Sequence, residues 1–482
     1  MKKGAITPVD ASRDFRVHEV FCSFTDRKGV ILAGNEVFTR ISGYAWAELS
    51  GQPHNIIRHP DMPRAVFQLF WEELHAGRPV AAYVKNLAKD GRYYWVLALA
   101  CPVGDGYLSI RIKPSSALLP AVEALYRTMR VAERTEEERG SDGRTAMTAA
   151  RQVLVQGLRS HGFDSYEAFM RTALLREELN SRDAALARER IELLPAIRAT
   201  IAEKSPRAAT VVPLHESGRQ TYGRLTAVCA RLDDLARLNA ELSTHARTML
   251  RLAGDFRVLS LNAGLNATKL GEEGRGLGVI ASHLGTTSTE ISGTVGTIGR
   301  CVETSSRQLG GVIFNLAWAR VQFEMTVIHY GEMLAARDGD GACATRELAT
   351  AGHLRSAFRA TSGQALTALA ALADELGNLD DLAEVLHKTV TSLQMAYISC
   401  KVEVSRVSHD LTLREVFGDI GLHVDKTREV LAAMTGVIEK LAQEARQAPA
   451  IAATVAETNT QLDRHGEALA RIEQAEALPA AV

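Results

Sequence analysis

The sequence predicts an α+β domain at the N-terminus followed by a long all-α region. Up to about Ser115 lie most of the β-branched and aromatic runs, broken by Gly-containing turns. Beyond it Ala, Leu, Glu and Arg recur at helical spacing, with few strand signals. The chain has 482 residues, too many for one hydrophobic core, so more than one structural unit is expected.

An extension over 1–19 precedes the α+β domain, which is placed at 20–118. Residues 20–25 read as a short strand, Asp26-Arg27-Lys28-Gly29 as a turn and 30–32 as a second strand. Helical turns follow over 35–49. Residues 80–87 and 93–101 alternate around Lys89-Asp90-Gly91, a hairpin signal. A last strand, 107–113, follows Gly104-Asp105-Gly106.

A helical connector is expected over 119–204, and Ser205-Pro206 and Val212-Pro213 mark a linker at 205–215. A long helix then carries Val228, Leu235, Leu242, Met249 and Phe256 at heptad spacing, interleaved with Leu225, Leu232, Asn239, Ala246 and Ala253. That is an a/d seam with polar Asn239 as a register device. The same period suits the core face of an antiparallel bundle. Gly271-Glu272-Glu273-Gly274-Arg275-Gly276 interrupts it, and helix resumes over 277–336. Residues 337–353, rich in Gly and Asp, read as a loop, and 354–482 as a C-terminal helical region with helices over 354–444 and 457–478.

Several function classes are set aside. The net charge of -1 steers the chain toward neither nucleic acid nor an anionic membrane. The cysteines Cys22, Cys101, Cys229, Cys301, Cys343 and Cys400 form no CxxC pair, so neither a metal site nor a disulfide framework is expected. No P-loop, dinucleotide fingerprint or Ser-His-Asp arrangement supports an enzyme, and no catalytic residue is assigned. The N-terminus has no apolar h-region, and no apolar run spans a bilayer. The nearest candidate, 310–333, carries Arg320, Gln322, Glu324 and His329 and reads as a buried or dimer-forming helix. A cytoplasmic protein is expected.

Residues 51–63, GQPHNIIRHPDMP, pack two His, one Arg, one Asp and three Pro together. Such a stretch suits a rigid loop presenting side chains to a ligand, or a surface loop with incidental charges. It closely resembles the signature of bacterial aerotaxis receptors. So do Ile41-Ser-Gly-Tyr44, Val84-Lys-Asn86, Lys89-Asp-Gly91, Tyr93-Tyr-Trp95 and Leu108-Ser-Ile-Arg111. The likeness runs over about 21–129, through Val122-Glu-Ala-Leu-Tyr126.

The resemblance implies a PAS sensor domain that holds FAD non-covalently and reports oxygen or electron-transport status through its redox state. Carried over by position, it places Asn35, Arg58, His59, Phe67, Asn86 and Trp95 at or near the cofactor. Arg58 and His59 would meet pyrophosphate oxygens or ring carbonyls, Asn86 the ring edge, and Trp95 a wall of the pocket. His54 is read as structural. Where the family has Trp, Arg and Asn, this chain has Val80, Leu97 and Leu99. If those face the pocket it is more apolar, and three outcomes stand open. FAD is retained, haem replaces it with His54 or His59 as axial ligand, or the pocket is empty.

Residues 259–281 resemble the hairpin tip of methyl-accepting chemotaxis proteins through Leu261-Asn-Ala263, Gly271-Glu272, Gly274-Arg-Gly276 and Val279-Ile-Ala281. This implies a coiled-coil hairpin over 216–336, with its tip near 262–281, that engages a histidine kinase and its coupling protein. A homodimer through the coiled coil is the expected assembly. The tip departs from the family at Asp255-Phe256-Arg257, Asn266 and His283-Leu284-Gly285, which puts standard kinase coupling in question. The expectation is a redox, oxygen or energy-state sensor that signals through helices to a partner. The competing one is a dimerisation scaffold with an empty or haem-binding PAS domain.

Overall fold

The computed structural model describes residues 6–175, 206–335, 341–406 and 411–477. Strands β1 (Phe21–Asp26) and β2 (Ile31–Gly34) join through the expected turn. There the Asp26 carboxylate accepts from the amides of Lys28 and Val30, each at 2.8 Å. Three helices follow, α1 (Glu36–Ser42), α2 (Trp46–Leu49) and α3 (Arg64–His75), with a 3-10 turn at His54–Ile57 before the last. Then come β3 (Val80–Leu87), β4 (Tyr93–Val103) and β5 (Gly106–Ile112). The strands form one antiparallel sheet in the order β2-β1-β5-β4-β3. The β3–β4 hairpin turns at Gly91, whose φ of 87° favours glycine; a Cβ there would lie 2.6 Å from the Thr7 carbonyl oxygen.

The extension belongs to this domain. Arg13 binds the Asp90 carboxylate and the Arg40 carbonyl, both at 2.8 Å, and Phe15 is buried. The helices of the connector also pack onto it. These are α4 (Leu118–Glu138), α5 (Gly143–Ser160) and α6 (Tyr166–Leu175). Buried Glu133 of α4 accepts from the Ala65 amide in the first turn of α3, at 3.1 Å. Tyr126 and Tyr166 donate to the carbonyls of Tyr83 and Ala81 on β3. The remainder of the connector, 176–204, lies outside the described residues.

Five longer helices follow: α7 (Pro206–Lys269), α8 (Arg275–Ala335), α9 (Gly341–Arg406), α10 (Leu411–Ala445) and α11 (Ala448–Ala477). The linker expected at 205–215 is helical from Pro206, since proline at a first helical position has no amide partner to lose. Pro213 lies inside the same helix. The loop expected at 337–353 is helical from Gly341, and the last helix begins at Ala448 rather than 457. The α7–α8 turn falls at Gly271–Gly274, inside the expected tip. A Cβ at Gly274 would lie 1.9 Å from the Ala267 carbonyl oxygen, so this position requires glycine.

The chain divides into two compact units. The first comprises Met1–Cys229, Ile313–Gln364 and Thr454–Val482. In it Phe314, Ala317, Trp318 and Val321 of α8 and Leu354 and Ala357 of α9 share one hydrophobic cluster with Cys22, Phe24, Leu97, Leu99 and Cys101 of the sheet. The polar residues of the 310–333 stretch are buried here. Gln322 donates to Thr361 Oγ1 at 3.1 Å and lies 3.3 Å from Cys101 Sγ, and His329 Nε2 lies 2.8 Å from the Glu347 carbonyl. Among the described residues no helix is long and apolar enough to cross a membrane.

The second unit comprises Ala230–Val312 and Ala365–Ala453. Its helices touch in turn: Asn239 of α7 donates to the Val302 carbonyl of α8 at 3.1 Å, and His283 of α8 lies 3.4 Å from Ser392 of α9. A Cβ at Gly421 of α10 would crowd Tyr397 of α9, and Phe256 of α7 meets His423 of α10 edge-on at 5.9 Å. This is a four-helix bundle made by one chain. Every position of the α7 seam is buried within that chain. Of the two readings of the seam, its burial within one chain fits the core face of an antiparallel bundle.

Candidate functional site

A cavity of about 340 Å³ lies between the inner face of the sheet and α3. Strand alternation chooses its lining. Ser23 and Thr25 face it from β1, Val84 and Asn86 from β3, Ala98 and Ala100 from β4, and Tyr107, Ser109 and Arg111 from β5. Helix α3 adds Phe67, Phe70, Trp71 and Leu74, and the Pro-rich segment adds Pro53, His54, Asn55 and Arg58. Trp71 meets Tyr107 edge-to-face at 5.4 Å, and the Arg58 guanidinium lies 4.5 Å from the Phe67 ring centre.

Arg111 is a buried cation on the cavity. Its Nη2 donates to Ser23 Oγ at 2.9 Å and to His54 Nε2 at 2.6 Å, and its Nη1 reaches the Ser109 carbonyl at 3.4 Å. Since a guanidinium only donates, His54 Nε2 is the unprotonated nitrogen. Burial, and then the Arg111 charge, holds the His54 pKa well below the usual histidine range. Burial pushes the Arg111 pKa down to about 10, which leaves it charged at neutral pH. Burial also lowers Arg58, with the Glu133 carboxylate acting against it.

Of the six residues expected at the cofactor, Arg58, Phe67 and Asn86 line the cavity, and Asn35, His59 and Trp95 do not. Asn35 turns the other way: its Oδ1 accepts from the Cys22 amide at 3.0 Å and its Nδ2 donates to Glu332 of α8 at 2.8 Å. His59 is buried, with Nδ1 accepting from the Asp61 amide at 3.1 Å. Trp95 borders a separate surface cleft with Tyr126 and Lys85.

Val80, Leu97 and Leu99 would make the cavity more apolar only if they faced it, and none of them lines it. Leu97 and Leu99 alternate with the lining residues Ala98 and Ala100, so they face the covered side of the sheet. Haem ligation by His54 or His59 also finds no support in this geometry. His54 Nε2 is already engaged by Arg111, and His59 is not on the cavity. His54 is nonetheless a lining residue, beyond the structural role first given to it. Among the described residues no group of His, Cys, Asp or Glu side chains is placed to hold a metal ion.

Sequence reasoning missed Arg111, Ser23, Trp71 and Tyr107 at this site. A signal for Arg111 was present: the period of a strand puts Tyr107, Ser109 and Arg111 on one face, opposite Leu108 and Ile110.

A family model described as the PAS fold matches residues 31–108, and the N-terminal domain is a PAS domain. The aerotaxis receptor of Escherichia coli K12 is 44% identical over 112 residues, which is 22% of this chain and 22% of that relative. The biofilm dispersion protein BdlA of Pseudomonas aeruginosa is 32% identical over 82 residues, 17% of this chain and 20% of that relative. A PAS domain structure from Colwellia psychrerythraea is 23% identical with a TM-score of 0.17, covering 20% of this chain and 85% of that one. The chain therefore spans about a fifth of the length of the curated relatives it matches. The likeness to aerotaxis receptors holds for the PAS domain, and the long helices behind it fit a chemoreceptor-like signalling region.

Proposed function

We propose that this chain is a cytoplasmic PAS-based sensor of redox or oxygen status that passes its signal to its own helical region. One observation carries the reading: strand β1 meets both the cavity and the helices. Ser23 and Thr25 face the cavity. On the other side Phe24 stacks on His353 of α9, with ring centres 3.6 Å apart. The Cys22 amide holds Asn35, which holds Glu332 of α8. A change in what Ser23 and Arg111 meet therefore bears on the contacts with α8 and α9.

FAD is the cofactor this cavity supports best. Flat aromatic walls at Phe67 and Trp71, with Asn86, Ser109 and Arg111 among them, fit a planar ring that has a polar edge. Bound there, the flavin supplies the electron-accepting chemistry. Phe67 and Trp71 would wall the ring, Asn86 and Arg111 would hold its edge, and Arg58 would meet a phosphate.

The output is read at the turn of the hairpin. Val258, Leu261, Leu265 and Val279, close to the Gly271–Gly274 turn, are exposed, Leu261 to 65%. Such apolar surface supports a protein partner there, of the histidine-kinase or coupling-protein class. The role is that of a sensor and not of an enzyme.

The deciding experiment is the absorption spectrum of the full chain purified without added cofactor. The two-band spectrum of a flavin, bleached by dithionite, is the expected result. A single intense haem band would replace the cofactor. A colourless protein that takes up no FAD would sink the redox reading and leave a scaffold.

A further inference from the structure

We propose that the cavity selects its ligand by charge, and that Arg111 is the residue that does so, taking the anionic or strongly hydrogen-bond-accepting edge of a flat aromatic ligand. This rests on the reading of the cavity as a ligand site.

Arg111 is 3% exposed. Among the described residues it makes no ion pair; its partners are a hydroxyl, a neutral imidazole and a carbonyl. A buried cation held only by neutral acceptors is unfavourable unless something compensates its charge. The rest of the lining does not. Lys28 and Arg58 are cationic, and none of the lining residues is Asp or Glu. Low-dielectric walls that carry one sign of charge draw in the opposite sign.

The guanidinium is also held in place. It lies 5.7 Å from the Phe21 ring centre and 5.4 Å from that of Phe38, and it has more N–H groups than its bonds use. Position separates the three cations. Lys28 is exposed at the rim and Arg58 is half-buried, so both suit a phosphate-bearing tail. Of the three only Arg111 is buried, which suits it to a ring edge.

Titration calorimetry of the full chain with naphthoate, and with naphthamide as its neutral match in shape, reads charge preference without any flavin. Naphthoate is expected to bind at least about tenfold tighter, a difference near 1.4 kcal/mol. R111Q should erase that preference. Equal binding of the two probes by the unaltered chain overturns the proposal, as does a preference that survives R111Q. If R111Q does not melt cooperatively, R111K takes its place. Lysine keeps the charge but loses the planar fork, so the preference should fall, and an unchanged preference overturns the assignment.

A second readout uses the FAD-loaded chain. Removing the cation disfavours the more negatively charged reduced ligand, so R111Q should lower the midpoint potential. Each tenfold of lost preference is about 30 mV for a two-electron couple. An unchanged potential overturns the assignment. Failure of the unaltered chain to bind FAD sinks the flavin reading alone, and the naphthoate comparison still decides the charge claim.

Discussion

The two faces of the PAS sheet have been shaped by different neighbours. On β4 the cavity side carries Ala98 and Ala100, small enough to leave room for a ligand. The opposite side carries Leu97, Leu99 and Cys101, buried in a cluster that also contains Trp318 and Leu354. On β5 the cavity side carries Ser109 and Arg111, and the other side Leu108 and Ile110. Leu97 and Leu99, where the resemblance leads one to expect polar groups, lie on one face only. That face is covered by helices of the same chain, so apolar residues there answer to protein packing and say nothing about the ligand.

A charge on the covered face should break this comparison most severely. Leu99→Arg buries an unpaired cation among apolar side chains and is expected to cost about 4 kcal/mol or more. Urea denaturation measures it, and a melt like that of the unaltered chain would mean the outer face is open. On the cavity side Trp71→Ala should cost less stability but weaken FAD binding by at least about tenfold, near 1.4 kcal/mol. Equal losses from both substitutions would erase the distinction between the faces.

Asn35→Ala tests the bond between β1 and α8. It removes the acceptor for the Cys22 amide and the donor to Glu332, at an expected cost of about 1–3 kcal/mol. Faster amide exchange in α8, with the cavity still able to bind ligand, is the expected pattern. Unchanged exchange would take Asn35 out of the signal path.

The smallest effect concerns pH. Burial by itself would lower the His329 pKa, but the Glu332 carboxylate at 3.3 Å and the Glu347 carbonyl outweigh it, so the value is raised. A raised folded-state pKa contributes stability that is complete below the ordinary histidine value and is lost as pH rises through the folded one. His54, His59, His353 and His465 are all lowered, and they pull the whole chain the other way. The comparison that isolates His329 is therefore the stability difference between the unaltered chain and His329→Gln. It should be larger near about pH 5.5 than near about pH 8.5. A difference that does not vary with pH would mean that His329 does not titrate there.

Much of the fold was legible because its signals are local. Alternation located β3, β4 and β5, and Asp26 and Gly91 marked the turns between strands. The proline at 206 misled, because a breaker at a helix start breaks nothing, and Pro213 lies inside the same helix without ending it. The candidate site was half legible. Resemblance gives the neighbourhood of a residue but not the side it faces, so Arg58, Phe67 and Asn86 lie on the cavity while Trp95 lies on a separate cleft. Asn35 points away from the cavity toward Glu332, a partner 297 residues further along the chain. No local pattern could have announced that partner.

Asn239 sets a rule for how this hairpin can change length. Its amide is buried and donates to the Val302 carbonyl across the bundle. A slide of one helical turn, about 5.4 Å, would strand that amide among leucines. Residues cannot be trimmed from one arm alone between this bond and the Gly271–Gly274 turn. A heptad deleted from α7 on that side must be matched by a heptad deleted from α8, or the pairing is lost. Shortened versions of the hairpin would therefore come in mirror-image blocks about the turn, each keeping Asn239 opposite Val302.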